Sequence, residues 1–302
     1  MPSVRRLVSL TAAAGLIATA LLAVPVAEAA PRPAARAALA PISCETSVTG
    51  VLTNGKLVMR DLKNAAVTRQ QSTALPLAYR VDSIYLYGSD AANGSHIVHG
   101  TVHGNGQLAK DVDITSQDTG TAPLKVAIVD RYRPSPTGRL FTNSGRYYTY
   151  GVAPNGALTR WTRFVDDAGN VGFDEPRVVR SGMAGLKTLS YMFTSKLSDG
   201  IRRDVLYATT SAGALLQIAV PWGTPGKPAV ATIRAAGFAA FTSLSLSWCN
   251  LSGTIGSIIA VDRVHNEARW FTVTGQFHPA TATLQRRGLV GVGYSWHFVC
   301  TD

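Results

Sequence analysis

One short pattern recurs along this chain at a nearly constant spacing: an apolar strand, a two-residue turn and a second alternating strand. The clearest copy covers residues 147–164, YYTYGVAPNGALTRWTRF, with Asn155 and Gly156 at the turn. Asn-Gly is a strong hairpin signal, because both central residues of a type I′ turn need a positive φ angle. A hairpin that is repeated restricts the possible folds more than any single motif does.

Four further hairpins match this one in degraded form and cover residues 46–62, 96–114, 204–220 and 257–273. The turn residues are separated by 51, 50, 57 and 53 residues, and they are Gly55, Gly106, Gly156, Gly213 and Asn266. The 13 residues from residue 42 to Gly55 and the 36 residues after Asn266 together match one more period. We therefore predict that the two ends of the folded region meet in one sheet.

Each hairpin is preceded by a more apolar run and followed by a short polar one, so one repeat contains about four strands in about 50 residues. The predicted inner strands cover residues 82–88, 125–131, 186–194, 242–249 and 294–300. The predicted outer strands include residues 67–73, 166–179, 229–233 and 282–285. Three inner strands share a lead-in of glycine and an apolar residue: Gly182-Met183, Gly237-Phe238 and Gly288-Leu289.

A four-stranded sheet can bury both faces only by stacking against neighbouring sheets, and the repeat length is typical of β-propeller blades. We predict an all-β, five-bladed β-propeller with about four antiparallel strands per blade. Its ring closes where residues 294–300 pair with the hairpin of residues 46–62, which removes two exposed strand edges.

The hairpins resemble those of tachylectin-2-like five-bladed β-propeller lectins, in which the turn ends in Gly and a Leu follows. The matching copies are Asn54-Gly55-Lys56-Leu57, Asn105-Gly106-Gln107-Leu108, Asn155-Gly156-Ala157-Leu158 and Ala212-Gly213-Ala214-Leu215. The fifth copy, His265-Asn266-Glu267-Ala268, departs from the pattern. The resemblance covers residues 42–302 and implies binding of N-acetylated amino sugars in pockets between adjacent blades.

Sugars present apolar C–H faces to aromatic rings and hydroxyl groups to fixed polar partners. Five aromatic residues on the hairpin strands are candidate ligand contacts: Trp161, Trp270, Tyr148, Tyr150 and Tyr207. We predict that some of them line pockets between blades, and packing between blades is the alternative role of each. Trp248 and Trp296 are assigned to the core, whereas Trp222, in a Pro/Gly-rich loop, is assigned no role.

Sequence motifs for catalysis are absent: there is no G-x-S-x-G elbow, no phosphate-binding Gly/Lys loop and no H-E-x-x-H. A glycosidase needs two carboxylates at a defined separation, and Asp82 and Asp130 are the acidic candidates on the predicted inner strands. His99 and His103 share a strand face that excludes His96, so we expect no metal site. We expect a non-enzymatic protein without a cofactor, with a secreted glycosidase or a protein-interaction scaffold as alternatives.

Residues 1–29 have the features of a secretory signal peptide: two arginines, a long apolar run and an Ala-Glu-Ala cleavage site at residues 27–29. A membrane anchor is the alternative interpretation of this apolar run. Residues 30–41 are a flexible Ala/Pro-rich lead-in, and residues 42–302 form a single propeller domain. We therefore expect a secreted, extracellular monomer without a membrane span once the signal is removed.

The formal net charge of +11 falls to +10 when the signal peptide, with two Arg and one Glu, is removed. The cations are dispersed along the chain, whereas a specific nucleic-acid site would cluster them. Dispersed positive charge favours acidic polymers at a cell surface. We therefore expect glycans or a cell-surface polysaccharide as partners, and no specific nucleic acid.

The three cysteines do not match a zinc site or a disulfide-dense scaffold, but one disulfide can persist in an exported protein. Cys44 and Cys300 lie at the two ends of the folded region. Because those ends are predicted to share a sheet, we favour a Cys44–Cys300 disulfide. Cys249, in the matching part of the preceding repeat, is the competing partner.

Overall fold

The computed structural model describes residues 43–64, 66–77, 81, 83–92, 94–103, 110–117, 122–129, 140–144, 147–165, 171–196, 200–223, 227–250, 252–275, 282–290 and 296–300. The chain divides into two units, Met1–Pro41 and Ile42–Asp302, and every described residue belongs to the second. The predicted signal peptide and lead-in therefore lie outside the described residues. Within the described ranges, no helix is long and apolar enough to cross a membrane.

The described residues form five antiparallel sheets of four strands each. Sheet 1 contains β1 (Glu45–Leu52), β2 (Lys56–Lys63), β3 (Ala66–Ala74) and the C-terminal β20 (Trp296–Val299). Sheet 2 contains β4 (Ser83–Ala92), β5 (Ser95–His103), β6 (Lys110–Gln117) and β7 (Lys125–Val129). Sheet 3 contains β8 (Leu140–Ser144), β9 (Tyr148–Val152), β10 (Leu158–Val165) and β11 (Val171–Arg180).

Sheet 4 contains β12 (Leu186–Lys196), β13 (Arg202–Thr210), β14 (Leu215–Pro221) and β15 (Ala229–Arg234). Sheet 5 contains β16 (Phe241–Trp248), β17 (Ile255–Asp262), β18 (Glu267–Thr274) and β19 (Thr283–Leu289). The inner strands neighbour one another in the order β4, β8, β12, β16, β20 and again β4, which closes a ring. In sheet 1, β20 pairs with β1, with Gly50 opposite Val299. The prediction of a five-bladed propeller closed by both ends of the chain is confirmed.

The predicted inner strand at residues 125–131 is wrong. β7, which covers Lys125–Val129, pairs with β6 and is the outer strand of sheet 2. The inner strand of sheet 3 is instead β8, Leu140–Ser144. The sequence of β7, KVAIV, is more apolar than that of β8, LFTNS, so apolar content alone points to the wrong strand. The other four inner strands lie where the repeat predicts them.

Two of the turn glycines, Gly156 and Gly213, contact the glycine-apolar lead-ins of the next blade, which explains why these features recur with the same period. Gly156 has a φ angle of 79°, and its carbonyl oxygen accepts a hydrogen bond from the Met183 amide at 2.8 Å. The Phe238 amide donates to the Gly213 oxygen in the same way, at 2.9 Å. A Cβ atom on Gly156 would lie 2.5 Å from the Ala184 nitrogen, so only glycine fits there. These two hairpin turns therefore anchor the start of the next blade.

The fifth hairpin, which departs from the glycine pattern, is stabilised by a side chain. Asn266 adopts a φ angle of 55°. The buried carboxylate of Asp262 accepts hydrogen bonds from the amides of Val264 at 3.0 Å and His265 at 3.2 Å, and it lies 2.7 Å from Nδ1 of His265. Burial alone would raise the pKa of Asp262, but the hydrogen bonds from His265 and the backbone outweigh burial and lower this pKa.

The disulfide joins Cys44 to Cys249, so the preference for Cys300 was wrong. The Cys300 amide donates to the Thr49 oxygen at 2.8 Å, which places Cys300 beside β1 but five residues along it from Cys44. Five residues of extended strand span roughly 17 Å, far more than a disulfide can bridge. Cys249 directly follows β16, so the bond links sheets 5 and 1 next to the point of ring closure.

Small hydroxyl side chains also connect neighbouring inner strands. Three such hydrogen bonds are Tyr191 N to Thr142 Oγ1 at 2.7 Å, Ser190 Oγ to the Leu244 oxygen at 2.9 Å, and Val299 N to Ser243 Oγ at 3.0 Å. They join β8 to β12, β12 to β16 and β16 to β20. An inner strand has a sheet partner on one edge only, and these bonds satisfy some backbone groups of its other edge.

Candidate functional site

Four of the five predicted ligand contacts are buried between sheets. Tyr150 and Tyr207 are fully buried, Trp161 is 8% exposed and Trp270 is 5% exposed. Nε1 of Trp270 donates to Ser257 Oγ at 3.0 Å, and the Tyr207 hydroxyl accepts from Nε2 of Gln217 at 2.9 Å. Such packing matches the alternative role of these residues, and a contact with a ligand stays a prediction for each.

Tyr148 differs from the other four because it lies near the surface, in a group of aromatic side chains between sheets 3 and 4. Its ring is 5.4 Å from the ring of Trp222, at an interplanar angle of 84°. Trp222 is also 5.1 Å from the ring of Tyr147, which is 55% exposed. These edge-to-face arrangements are favourable for aromatic pairs. We call Tyr147, Tyr148 and Trp222 the rim cluster.

Backbone hydrogen bonds at strand ends hold the rim cluster in place. The Trp222 amide donates to the Arg202 oxygen at 2.8 Å, which continues the β13–β14 pairing past its last residue. The Tyr147 oxygen accepts from the Arg163 amide at 2.8 Å, which continues the β9–β10 pairing. Both extensions lie at the ends of the sheets away from the turns of Gly156 and Gly213. The rings are therefore placed by rigid sheet edges and not by a long loop.

Two arginine side chains pack on these aromatic rings. The Arg160 guanidinium is buried, lies 4.4 Å from the centre of the Tyr148 ring and donates from Nη1 to the Pro221 oxygen at 2.8 Å. The exposed Arg202 guanidinium lies 4.7 Å from the centre of the Trp222 ring. A cation over an aromatic face is attracted by the ring electrons. The rim cluster is therefore flanked by two fixed positive charges.

A buried hydrogen-bond network lies beneath the rim cluster. The fully buried Asp204 carboxylate accepts from the Tyr150 hydroxyl at 2.6 Å and from Thr194 Oγ1 at 2.5 Å, one bond to each oxygen. The Tyr191 hydroxyl lies 2.9 Å from the same Thr194 oxygen. Burial raises the pKa of Tyr150 well above its usual value, the charge of Asp204 raises it further, and Arg160 opposes both. Tyr150 therefore stays a protonated donor at neutral pH.

The geometry of the rim suits binding, because aromatic side chains and positive charge lie at the surface and the carboxylate beneath them is hydrogen-bonded.

The glycosidase candidates Asp82 and Asp130 lie outside the described residues. Among the predicted metal candidates, His96 is exposed and His99 pairs through Nδ1 with Asp113 at 2.7 Å. The described part of the chain contains no group of three residues that could hold a metal ion.

The side chain of His103, the third histidine, lies outside the described residues.

The sequence analysis assigned no role to Trp222, which contacts Tyr147 from 75 positions further along the chain. A signal was present, since Trp222 lies two residues after the end of the predicted hairpin at residue 220. At that position its ring lies beside the first residues of the preceding blade's hairpin.

No family model matches this chain, and no protein with a curated description matches it. Among solved structures, the chain is similar to a quinonprotein alcohol dehydrogenase-like protein from Bacteroides thetaiotaomicron, at 10% identity over 84% of this chain and 68% of the other, with a TM-score of 0.32. It is also similar to the WD40 domain of SCAP from fission yeast, at 8% identity over 82% and 76% of the two chains, with a TM-score of 0.31. The five four-stranded sheets themselves show the propeller, and membership of the lectin family stays a prediction.

Proposed function

We propose that this protein is a secreted, non-enzymatic carbohydrate-binding protein whose site includes the rim cluster. The observation that carries the proposal is the convergence of Tyr147, Tyr148 and Trp222 at one end of the interface between two blades. Sugar rings bind such side chains through their C–H faces, and nearby cations and backbone groups bind the hydroxyls. N-acetylated amino sugars, which the resemblance implies as ligands, are the first to test.

The exposure of apolar side chains at this rim supports a binding role. Tyr147 is 55% exposed, and Ile201, which precedes Arg202 at the same end of sheet 4, is 44% exposed. Exposed apolar side chains that lie close together often mark an interaction site, whereas isolated ones are common and need no explanation. The half-buried Trp222 contacts Tyr147 and Arg202, the residue after Ile201.

The proposal also includes export of the protein. The Cys44–Cys249 disulfide would persist in an oxidising compartment and would be reduced in most cytosols. This supports the signal-peptide interpretation of residues 1–29. Glycosidase activity and a protein-interaction scaffold, for which a rigid propeller is equally suited, remain the alternatives.

Binding of the protein of residues 30–302 to a glycan array tests the proposal. Each spot of the array carries many copies of one glycan, and this multivalency makes binding by a weak single site detectable. We expect binding without release of reducing ends. Trp222→Ala should abolish binding and leave the thermal midpoint within about 3 °C, because the side chain lies at the rim. Leu289→Ala removes an exposed apolar side chain of sheet 5 and serves as the matched control that keeps binding.

The same array separates the rim cluster from the buried aromatic candidates. Trp161→Ala should lower the thermal midpoint by about 5 to 10 °C, since it empties a buried site. Unchanged binding by the Trp222→Ala variant would contradict the proposed site. Failure of the wild-type protein to bind any saccharide would contradict the proposed function and leave the scaffold, and turnover of a saccharide would favour the glycosidase.

A further inference from the structure

We infer that the saccharide bound at the rim cluster is anionic and that Arg202 binds its negative group. This inference rests on the proposed function and adds the class of ligand. Three observations support it: the environment of Arg202, the balance of charge around the rim and the position of the Tyr147 ring.

Arg202 is an exposed guanidinium in a fixed position. Its side chain lies 4.7 Å from the centre of the Trp222 ring, and its backbone oxygen accepts from the Trp222 amide at 2.8 Å. Among the described residues, no carboxylate forms an ion pair with Arg202. A guanidinium presents five donors in a plane and can bind a carboxylate or sulfate with two of them. The aromatic contact therefore orients the side chain, and no carboxylate of the described part of the chain occupies its donors.

The charges around the rim favour an anion. Arg160 and Arg202 supply two positive charges. Among the described residues, the carboxylate near these two arginines is that of Asp204, which is fully buried and bonded to Tyr150 and Thr194. Charges within about 8 Å of a ligand are only partly screened at physiological ionic strength. The balance of charge among these described residues is positive, as is the net charge of the whole chain.

The Tyr147 ring completes a surface for an acidic sugar. Arg202 covers one face of Trp222, whereas the Tyr147 ring, 5.1 Å from Trp222, is 55% exposed. A hexuronic acid carries its carboxylate at the edge of a ring whose C–H groups are apolar. Its C–H groups can contact Tyr147 while the carboxylate reaches Arg202. Tyr147 and Arg202 then bind two different parts of one sugar, its C–H face and its carboxylate.

Calorimetric titration with a galacturonic acid oligosaccharide, its carboxyl-reduced form and a sulfated galactan oligosaccharide of equal length tests this inference. We expect the wild-type protein to bind the acidic forms at least about tenfold more tightly than the reduced form. Tighter binding of the carboxylate or of the sulfate identifies the anion, and either result supports the inference. Higher salt should weaken binding of the acidic forms only.

Two substitutions separate charge from aromatic contact. Arg202→Gln should weaken binding of the acidic forms about tenfold or more and leave the reduced form unchanged. Arg286→Gln, at an exposed position of β19, is the control and should change neither. Tyr147→Ala should weaken binding of all forms. Equal wild-type affinity for acidic and reduced forms would overturn this inference alone, whereas no binding of any charged or neutral saccharide would overturn the proposed function as well.

Discussion

The interface between sheets 3 and 4 and the interface between sheets 4 and 5 occupy equivalent places in the ring, yet their chemistry differs. The first contains a hydrogen-bonded polar group: Tyr150, Arg160, Thr194 and Asp204. The second is filled mainly by apolar side chains, among them Phe193, Phe238, Phe241, Leu244 and Phe271, and the Tyr207 hydroxyl there accepts a neutral hydrogen bond from Gln217. The rim cluster lies at the end of the polar interface. A ring of similar blades can therefore specialise one boundary for binding while another serves stability.

A single pair of equivalent positions shows how the two interfaces diverge. Asp204 in β13 and Gly256 in β17 occupy equivalent positions. Each lies three residues before a residue at a matching place in its strand, Tyr207 in β13 and Ile259 in β17. A Cβ atom on Gly256 would lie 2.7 Å from Cγ1 of Val273 and 2.8 Å from Cε of Met192. The apolar interface thus leaves no room for any side chain at the position where the polar interface holds a carboxylate.

The largest loss of stability is expected when a carboxylate, equivalent to that of Asp204, is introduced into the apolar interface. Gly256→Asp should reduce the free energy of unfolding by at least about 4 kcal/mol, because the side chain overlaps its neighbours and buries an unpaired charge. The thermal midpoint should fall by about 10 °C or more. Differential scanning calorimetry measures this change.

Gly256→Ala is the companion variant, since it introduces the overlap without the charge. It should lower the stability by a smaller amount, about 1 to 3 kcal/mol. A Gly256→Asp protein as stable as the wild type would show that the apolar interface adapts to a carboxylate, and the contrast between the two interfaces would lose its basis.

The second effect comes from removing the carboxylate of the polar interface. Asp204→Leu should reduce the free energy of unfolding by about 3 kcal/mol, because the Tyr150 and Thr194 hydroxyls lose their acceptor and the positive charge of Arg160 loses its compensation. Urea unfolding followed by tryptophan fluorescence measures the loss. Asp174→Asn, at an exposed position of β11, should stay within about 0.5 kcal/mol of the wild type. A loss below about 1 kcal/mol for Asp204→Leu would show that the network contributes little to stability.

Much of the fold could be predicted because its signals are local. A hairpin turn needs a positive φ angle within two residues, so Gly55, Gly156 and Gly213 are visible in the sequence. Their constant spacing is enough to indicate five blades. The choice between β7 and β8 as an inner strand depends on which strands pair, and that is decided by contacts far apart in the chain. The Cys249 pairing was missed for the same reason, because it depends on where β20 begins to pair with β1.

The candidate site was less predictable than the fold. Alternation along a strand separates the residues that face one neighbouring blade from those that face the other. Tyr148 and Tyr150 lie on one face of sheet 3, and Trp161, opposite Thr149, lies on the other. Alternation does not show how far the adjacent sheets cover each face, and this coverage buries Tyr150 and Trp161 and leaves Tyr148 near the surface. Trp222 and Arg202 complete the rim through contacts with the adjacent blade and with each other. Strand periodicity carries no information about such contacts.

A smaller effect compares the two tyrosines that occupy equivalent positions in β9 and β13. Tyr150→Phe should cost about 2 kcal/mol, because the buried Asp204 carboxylate loses a donor. Tyr207→Phe should cost about 1 kcal/mol or less, since its hydroxyl accepts one neutral hydrogen bond from Gln217. Urea unfolding of both variants at neutral pH provides the measurement. Equal losses would contradict the distinction between a charged and a neutral partner.

The smallest effect is a loss of stability at alkaline pH, to which the buried tyrosines of both interfaces should contribute. Burial raises the pKa of Tyr150 and of Tyr207; the charge of Asp204 raises that of Tyr150 further, and the hydrogen bond from Gln217 lowers that of Tyr207 only in part. An unfolded tyrosine loses its proton near pH 10, whereas these two keep theirs in the folded protein. The folded state then binds more protons than the unfolded state, so stability falls as pH rises above about 10.

Each tyrosine should make the free energy of unfolding fall by up to about 1.4 kcal/mol per pH unit. The contributions of other titrating groups cancel when a variant is compared with the wild type. Tyr150→Phe and Tyr207→Phe should each flatten the decline between about pH 10 and pH 11, as measured by urea unfolding across this range. The two reductions should add in the double variant, because Tyr150 bonds to Asp204 and Tyr207 to Gln217, in different interfaces. A slope unchanged by either substitution would mean that the hydroxyl reaches solvent in the folded protein. The interface in question would then be open at that point, and the polar and apolar boundaries would differ in access to water as well as in chemistry.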